Sequence, residues 1–412
     1  MSNSIPKLTR SFSSESETHT AECARFPSLT LYKEHNLTNT AFNDVRNAHA
    51  HNGSASSIVA KPSLPRVIRP ANKRVILVGD IGSGHVRFNE FVEGNPDPPF
   101  KHREKASLAK GTGTGHRDDI HEEGLAIVEA ELNLMRPFMD KLDERDVRIY
   151  YTSALREAIK ARGPEYGAMI TEKLSAAAGG RQIIEMDGIE EAWRIREAMY
   201  DEAERFKEVA IVKNVREAFG ALGSGSFQFG DDTRLASMPY GVQPLYTDSN
   251  GRIKKAASIF RDHLEEKAVG YKKVNILRVA GSIFRDIVEI NKPNIQLPII
   301  VSFKDAEDEF STLKERMQHK VPSHLNMSDR TRQEVAIGAM VLLESMKHFK
   351  IQKLVVSNAT IRQSVAKDDN FNNRDEPKPW DAQSRASPAH SGQVSRISTP
   401  APPRRIAAAA TP

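Results

Sequence analysis

Between Arg74 and Phe88 the chain reads Arg-Val-Ile-Leu-Val-Gly-Asp-Ile-Gly-Ser-Gly-His-Val-Arg-Phe. The apolar run Val75 to Val78 has the composition of a buried strand, and it ends at Gly79-Asp80. Gly82-Ser83-Gly84 then turns the chain, and Val86 and Phe88 alternate with polar residues along a returning strand. A tight Gly/Ser turn of this kind gathers backbone N–H groups into a pocket suited to phosphate oxygens. Asp80 stands at its lip, where a carboxylate can hold a Mg²⁺, or another divalent cation, that bridges those oxygens. An ordinary hairpin uses the same residues, with the glycines serving only the turn.

The pattern occurs twice. Ala221-Leu222-Gly223-Ser224-Gly225-Ser226-Phe227-Gln228-Phe229 repeats the strand, the Gly/Ser turn and the returning strand of the first hairpin. Two copies about one domain apart predict two related lobes facing each other over a shared ligand. A third small-residue turn, Gly281-Ser282, leads from a strand into a helix and offers another place for N–H groups to meet an anion. Thr152 or Ser153 caps a helix whose first turn carries Arg156. The helix dipole does not favour a cation there, so an anion sharing the site, or a surface salt bridge, accounts for it. Glu190 and Glu191 follow the cap Asp187. Acids in a first helical turn are ordinary dipole complements.

These residues need a folded frame, and alternating strands and helices supply one. An apolar stripe at three- and four-residue steps predicts a helix over 121–142. Val147 to Tyr151 reads as a strand, followed by helices over 153–158 and 163–178, a strand at 182–186 and a long helix after Asp187. In the second half, helices are predicted over 253–267, 281–290, 305–317 and 336–349. Strands are expected at 274–279 and 353–356, and a last short helix ends near Ala366. Residues 1–72 and 367–412 lack a sustained period and are expected to be disordered tails, with Trp380 isolated in the second. His49 and His51 have no third ligand near them in the sequence. Lys110 to Gly115 is glycine-rich but lacks a following Lys-Ser/Thr pair, so it is not a Walker loop.

Composition narrows the functions. The net charge of +5 comes from the two ends and leaves the middle near neutral, without the basic stripe and interleaved aromatics of a nucleic-acid face. No apolar run is long enough to span a bilayer. A single cysteine, Cys23, excludes an intrachain disulfide, and the polar, acid-bearing first twenty residues do not resemble a secretory signal. A cytoplasmic location is the expectation, with neither membrane nor specific nucleic acid as partner.

The motifs in this order resemble the exopolyphosphatase / guanosine pentaphosphate phosphohydrolase family (Ppx/GppA), of the actin-like, sugar-kinase and Hsp70 superfamily. The resemblance spans about 74 to 366. It rests on Asp80–Phe88, Thr152–Ala158, Gly188–Ala192, Gly223–Phe229 and Val356–Arg362, with Ser237-Met238-Pro239-Tyr240-Gly241 alongside. It implies an α/β fold of two actin-like lobes around a central cleft, lobe I over 73–206 and lobe II over 207–366, with the last helix returning to lobe I. It also implies removal of a terminal phosphate from inorganic polyphosphate or guanosine pentaphosphate, with water and Mg²⁺. Glu191 would be the base that activates the water and Asp80 the metal ligand. Gly82, Ser83, Gly84, Arg156, Gly223, Ser224, Gly225, Ser226, Gly281 and Ser282 would bind phosphate. A homodimer is compatible with this reading.

The chain departs from the family pattern at several charged positions. Where the family has Asp at the start of the second loop this chain has Ala221, and where it has Glu after that loop this chain has Gln228. The first-loop Asn is Gly84, and the late Ser-Asp is Ser357-Asn358. Fewer carboxylates weaken Mg²⁺ binding and also lower repulsion toward a polyanion. Two functions therefore stand side by side: a phosphohydrolase, and a binding or regulatory protein that keeps the cleft with little chemistry. A sugar kinase fits less well, because its second loop would need an acid to hold metal–ATP.

Overall fold

Val75–Ile81 is buried along its whole length and forms β1, the central strand of the first sheet. It pairs antiparallel with β2 (His85–Val92), which pairs with β3 (Asn95–Lys105). On its other side it pairs parallel with β4 (Val147–Tyr151), and β4 with β5 (Ile183–Glu185). The spatial order is β3-β2-β1-β4-β5. The computed structural model describes residues 73–109, 120–206, 216–268, 271, 274–291, 295–318, 329–375 and 378–380. The expected tails at 1–72 and from 381 onward, the His49/His51 pair and the glycine-rich loop from Lys110 lie outside the described residues.

The second sheet repeats this order. Strands β6 (Glu217–Leu222), β7 (Phe227–Gly230) and β8 (Leu235–Met238) make an antiparallel meander. On the other side of β6, β9 (Ile276–Ala280) and then β11 (Lys353–Val356) pair parallel. Strand β10 (Ile299–Ser302) adds an antiparallel edge beyond β11. The register shows that the repeat is structural. Asp80 stands opposite Arg87 and Tyr150 in the first sheet, and Ala221 stands opposite Gln228 and Ala280 in the second.

Parallel neighbours require crossovers, and helices provide them. The first sheet carries α1 (Glu122–Met139), α2 (Ser153–Arg162) and α3 (Pro164–Ala177). The stripe on α1 buries Leu125, Val128, Leu132, Met135 and Met139, as its three- and four-residue spacing requires. In the second lobe, α5 (Val242–Ser249), α6 (Ile253–Lys267), α7 (Ser282–Asn291), α8 (Phe303–Gln318) and α9 (Asp329–Phe349) enclose a core that includes Phe227, Phe229, Phe260 and Leu264. No helix among the described residues is long and apolar enough to cross a membrane.

Two helices change sides. The helix α4 (Gly188–Arg205) follows β5 of the first sheet, yet Ala192, Ile195, Ala198 and Met199 pack with Phe219, Ala221, Leu235 and Ala280 of the second. The helix α10 (Ile361–Lys367) follows β11 of the second sheet and buries Val365 and Ala366 against Ile76, Val78 and Tyr150 of the first. In chain order α4 belongs with the first sheet, and by packing with the second. The apolar face of α4 belongs to lobe II.

The expected end of the folded chain at Lys367 is also corrected. Phe371 is fully buried against Tyr150, and Trp380 packs on Trp193. Asp368 pairs with the buried Arg194 at 2.8 Å, Asp369 with Arg74 and Arg148, and Arg374 with Glu190 at 2.8 Å. The segment looks polar because its acids answer arginines buried elsewhere, and a buried unpaired charge is costly. Phe371→Ala should destabilise the protein by about 3–5 kcal/mol, read as a lower urea midpoint at unchanged slope.

Candidate active site

The two glycine–serine turns meet face to face. An added Cβ at Gly84 would lie 2.5 Å from Ser224 Oγ, and one at Gly225 would lie 2.2 Å from Ser83 Oγ and 2.3 Å from Ser153 Oγ. Each glycine thus receives a serine of the opposite loop, which is a packing reason for Gly84 where an Asn would not fit. Ser83 Oγ also shares a 2.8 Å hydrogen bond with Ser153 Oγ at the start of α2.

The loop carbonyls are drawn away from this junction. The carbonyl of Gly84 accepts from the N–H groups of Ala106 and Ser107, and that of Ser83 accepts from Ala109. In the second loop the carbonyls of Gly223 and Ser224 accept from Val242 and Gln243 at the start of α5. Among the described residues no backbone carbonyl takes the N–H of Ser83, Gly84, Ser224 or Gly225. What both loops turn to the cleft is therefore donor-rich, as an anion site requires.

The cleft is lined by both loops, by Thr152 and Ser153, by Gly281-Ser282 at the entry to α7, and by Ser357 to Arg362. Gly281 has φ +132°, and a Cβ there would come 2.5 Å from the carbonyl of Leu222, so this turn takes only glycine. Ser357 and the N–H of Asn358 are held by the two carboxylate oxygens of Glu202 on α4.

Glu191 reaches the cleft from the first turn of α4. Its neighbour Glu190 is buried on Arg194 and Arg374 and is structural. Arg156 donates to Glu191 Oε1 at 2.6 Å, and Gln228 donates to Oε2 at 2.7 Å. Burial pushes the Glu191 carboxyl above its ordinary range and Arg156 pulls it back, with Asp80 and Asp187 adding to the rise. Burial lowers the Arg156 guanidinium, but Glu191 beside it leaves it raised.

Two expected roles change here. Arg156 does not line the cleft, because its guanidinium is held by Glu191 and by the carbonyl of Met186 at 2.7 Å. The anion that shares its helix start is Glu191 itself. Asp80 is not a free metal ligand, because its Oδ2 accepts from Arg362 at 2.6 Å and lies 3.6 Å from Arg87. A Mg²⁺ held by one carboxylate, waters and substrate is ordinary chemistry. Two guanidinium groups against that same carboxylate repel a dication, and among the described residues no three His, Cys, Asp or Glu stand together to hold one. The residues present do not fit a resident Mg²⁺. The structure keeps Gly82, Ser83, Gly84, Gly223, Ser224, Gly225, Ser226, Gly281, Ser282, Asp80 and Glu191 on one cleft and adds Arg87, Arg285 and Arg362 to it. Arg87 was legible, since residues flanking a hairpin turn symmetrically pair across it. Arg285 gave no signal.

Similar solved structures place this architecture. An Aquifex aeolicus PPX-GPPA enzyme has TM-score 0.53 and 18% identity, over 71% of this chain and 98% of its own. The fold is that of the Ppx/GppA phosphatases. An exopolyphosphatase from Cytophaga hutchinsonii gives TM-score 0.55 at 16% identity over 71% of this chain and 96% of its own. An exopolyphosphatase-like protein gives 0.57 at 13% identity over 71% and 97%. No protein-family model matches the chain, and no curated protein matches it. At this identity the likeness establishes the Ppx/GppA fold, and the chemistry must come from the site.

The junction of the loops is testable by sterics alone. Gly225→Ala should cost about 1–3 kcal/mol in urea unfolding, because both hydroxyls it meets are buried among fixed neighbours. Ser83→Gly in the same chain should recover part of that loss, a coupling that a distant pair would not show.

Proposed function

We propose that this protein is a phosphohydrolase that removes the terminal phosphate from a condensed phosphate, with inorganic polyphosphate as the leading substrate and guanosine pentaphosphate as the second. The observation that carries the reading is Glu191 poised between the two loops, with Oε1 held by Arg156 and Oε2 by Gln228 and, more weakly, Ser226. A polyphosphate is an extended anion with no base or sugar to recognise. A cleft lined by backbone N–H groups, serines and arginines is matched to it.

The chemistry asks for three things, and this chain's residues supply each. The terminal phosphoryl group must sit where its oxygens meet donors, and the loops at Gly82–Gly84 and Gly223–Ser226 provide them. A water must be aimed opposite the leaving oxygen, and Glu191 Oε1, which accepts from Arg156, has a lone pair left for it. The water proton passes to Glu191 as the water oxygen bonds to phosphorus. The bridging P–O bond breaks, and the chain leaves one phosphate shorter. Such a base contributes about 10² to 10⁴ in rate. Arg156 and Gln228 hold it in place.

The alternative, a polyphosphate-binding regulator with little turnover, is favoured by one observation. Gln228 donates a hydrogen bond to Glu191, which lowers the basicity of the group that must accept the proton. Tight binding without phosphate release over hours would select it.

Two measurements test the enzymatic reading. Glu191→Gln should lower phosphate release from long-chain polyphosphate by about 10²-fold or more while leaving binding intact; equal release by the two proteins would sink the mechanism. The pH profile supplies the second. A carboxyl raised by burial stays protonated, and inactive as a base, to a higher pH than an exposed one. The acidic limb of kcat should therefore lie above the ordinary carboxylate range, and Arg156→Gln, by removing the compensating cation, should move it higher still.

A further inference from the structure

The end of the cleft around Asp80 is crowded with guanidinium groups from both lobes. Arg87 comes from β2, Arg103 from β3, Arg285 from α7 and Arg362 from the first turn of α10. Arg87 and Arg362 converge on Asp80, while Arg103 lies within electrostatic reach of Arg285, Arg362 and Asp286. Among the described residues these four cations, with Lys105 beside His85, face Asp80 and Asp286, and Asp80 lies within electrostatic reach of Glu191 as well. Their placement is held by neutral partners. Arg103 donates to His85 Nε2 at 2.8 Å, and Arg285 donates to Asn358 Oδ1 at 3.2 Å. His85 is held neutral, pushed down to about 2 by burial and by Arg103, Arg87 and Lys105, so it can accept that bond without adding charge.

Two further features mark the cluster as short of anions. The nearest carboxylate oxygen to Arg87 is 3.6 Å away, beyond a normal charge-assisted hydrogen bond. The Nε of Arg362 is buried and has no hydrogen-bond partner. Burial lowers Arg87 to about 10, with Asp80 opposing and Arg362 and Arg103 adding to the fall. Arg87 and Arg362 are crowded and mostly withdrawn from solvent, whereas Arg103 and Arg285 are exposed; an anion relieves the first two, and a phosphate oxygen is the acceptor their planar geometry suits.

Resting on the phosphate reading of this cleft, we propose that Arg87, Arg362 and Arg285 neutralise the bound condensed phosphate directly, so that the protein takes its substrate without a divalent cation. Asp80 is then a gate on the cluster. It holds Arg362 and Arg87 in its own ion pair until the ligand competes for them. This sets the sign of its mutation against the metal-based alternative. A metal ligand removed weakens binding, whereas a competitor removed strengthens it.

The experiment is calorimetry of the full chain with sodium tripolyphosphate, in EDTA and again with Mg²⁺. Binding should be present in EDTA and should weaken when Mg²⁺ is added, because the ion sequesters the ligand. Asp80→Asn should tighten binding in EDTA, by up to about tenfold, and Arg87→Gln and Arg362→Gln should each weaken it by about 10- to 100-fold. The rise in melting temperature on adding tripolyphosphate gives the same ranking for any variant that folds, and the wild-type comparison needs no variant. Binding solely with Mg²⁺, or loss of binding in Asp80→Asn, overturns metal-free recognition and leaves the phosphate reading standing. Absence of binding with and without Mg²⁺ overturns both.

Discussion

The exchange of α4 and α10 between the two sheets is the constraint on which the site depends. Each helix starts at the cleft and buries its apolar face on the sheet that does not lead into it. Because both begin at the same junction, each brings a first-turn charge to the opposite lobe's loop. Glu191 at the start of α4 meets Ser226 and Gln228 of the second hairpin. Arg362 at the start of α10 meets Asp80 of the first. A carboxylate is thus delivered to the hairpin that carries Ala221, and a cation to the hairpin that carries Asp80. The distribution follows from the packing of two helices, and no single loop determines it.

Burying this many charges is costly, and the protein offsets the cost by pairing them across chain-distant segments. Arg194 is fully buried and held by Glu190 and Asp368, while Arg148 is held by the carbonyl of Val365 and by Asp369. In the second sheet Arg278, at the register position of Arg148, pairs with Glu217 at 2.6 Å. Replacing such pairs by apolar residues often stabilises a protein, whereas removing one partner is strongly destabilising. Their effect here is to select one arrangement. Asp368 and Asp369 pair with Arg194, Arg74 and Arg148, and Arg374 pairs with Glu190 on α4, so this segment is tied to both α4 and the first sheet.

Much of this was legible in the chain. The repeat of two Gly/Ser hairpins, the helices with clear apolar stripes and the position of Glu191 after its cap are local patterns, and local patterns survive folding. What escaped depended on contacts between distant residues. Strand β3 begins Asn-Pro-Asp-Pro-Pro, a composition that argues against a strand interior but is tolerated at a sheet edge. Phe371 and Trp380 sit in a polar stretch whose acids make sense only beside Arg148, Arg194 and Arg74. The role of Arg156 was half visible: a cation at a helix start asked for an anion, and the anion proved to be a side chain of the protein. Asp80 was expected to hold a metal, and nothing near it in sequence announces Arg362, which reaches it from 282 residues away.

The departures from the family pattern are coherent once the arginines are included. Asp80 already raises the Glu191 carboxyl through space. A second acid at position 221 would stand opposite residue 228, which contacts Glu191, and would raise it further. A dication between the carboxylates would cancel that repulsion. Without one, each additional acid would favour the protonated form of the base and oppose the polyanion as well. Ala221 and Gln228 remove both penalties, since Ala adds no charge and Gln supplies a donor. The missing acids and the added arginines thus fit one electrostatic reading, the metal-free recognition proposed above.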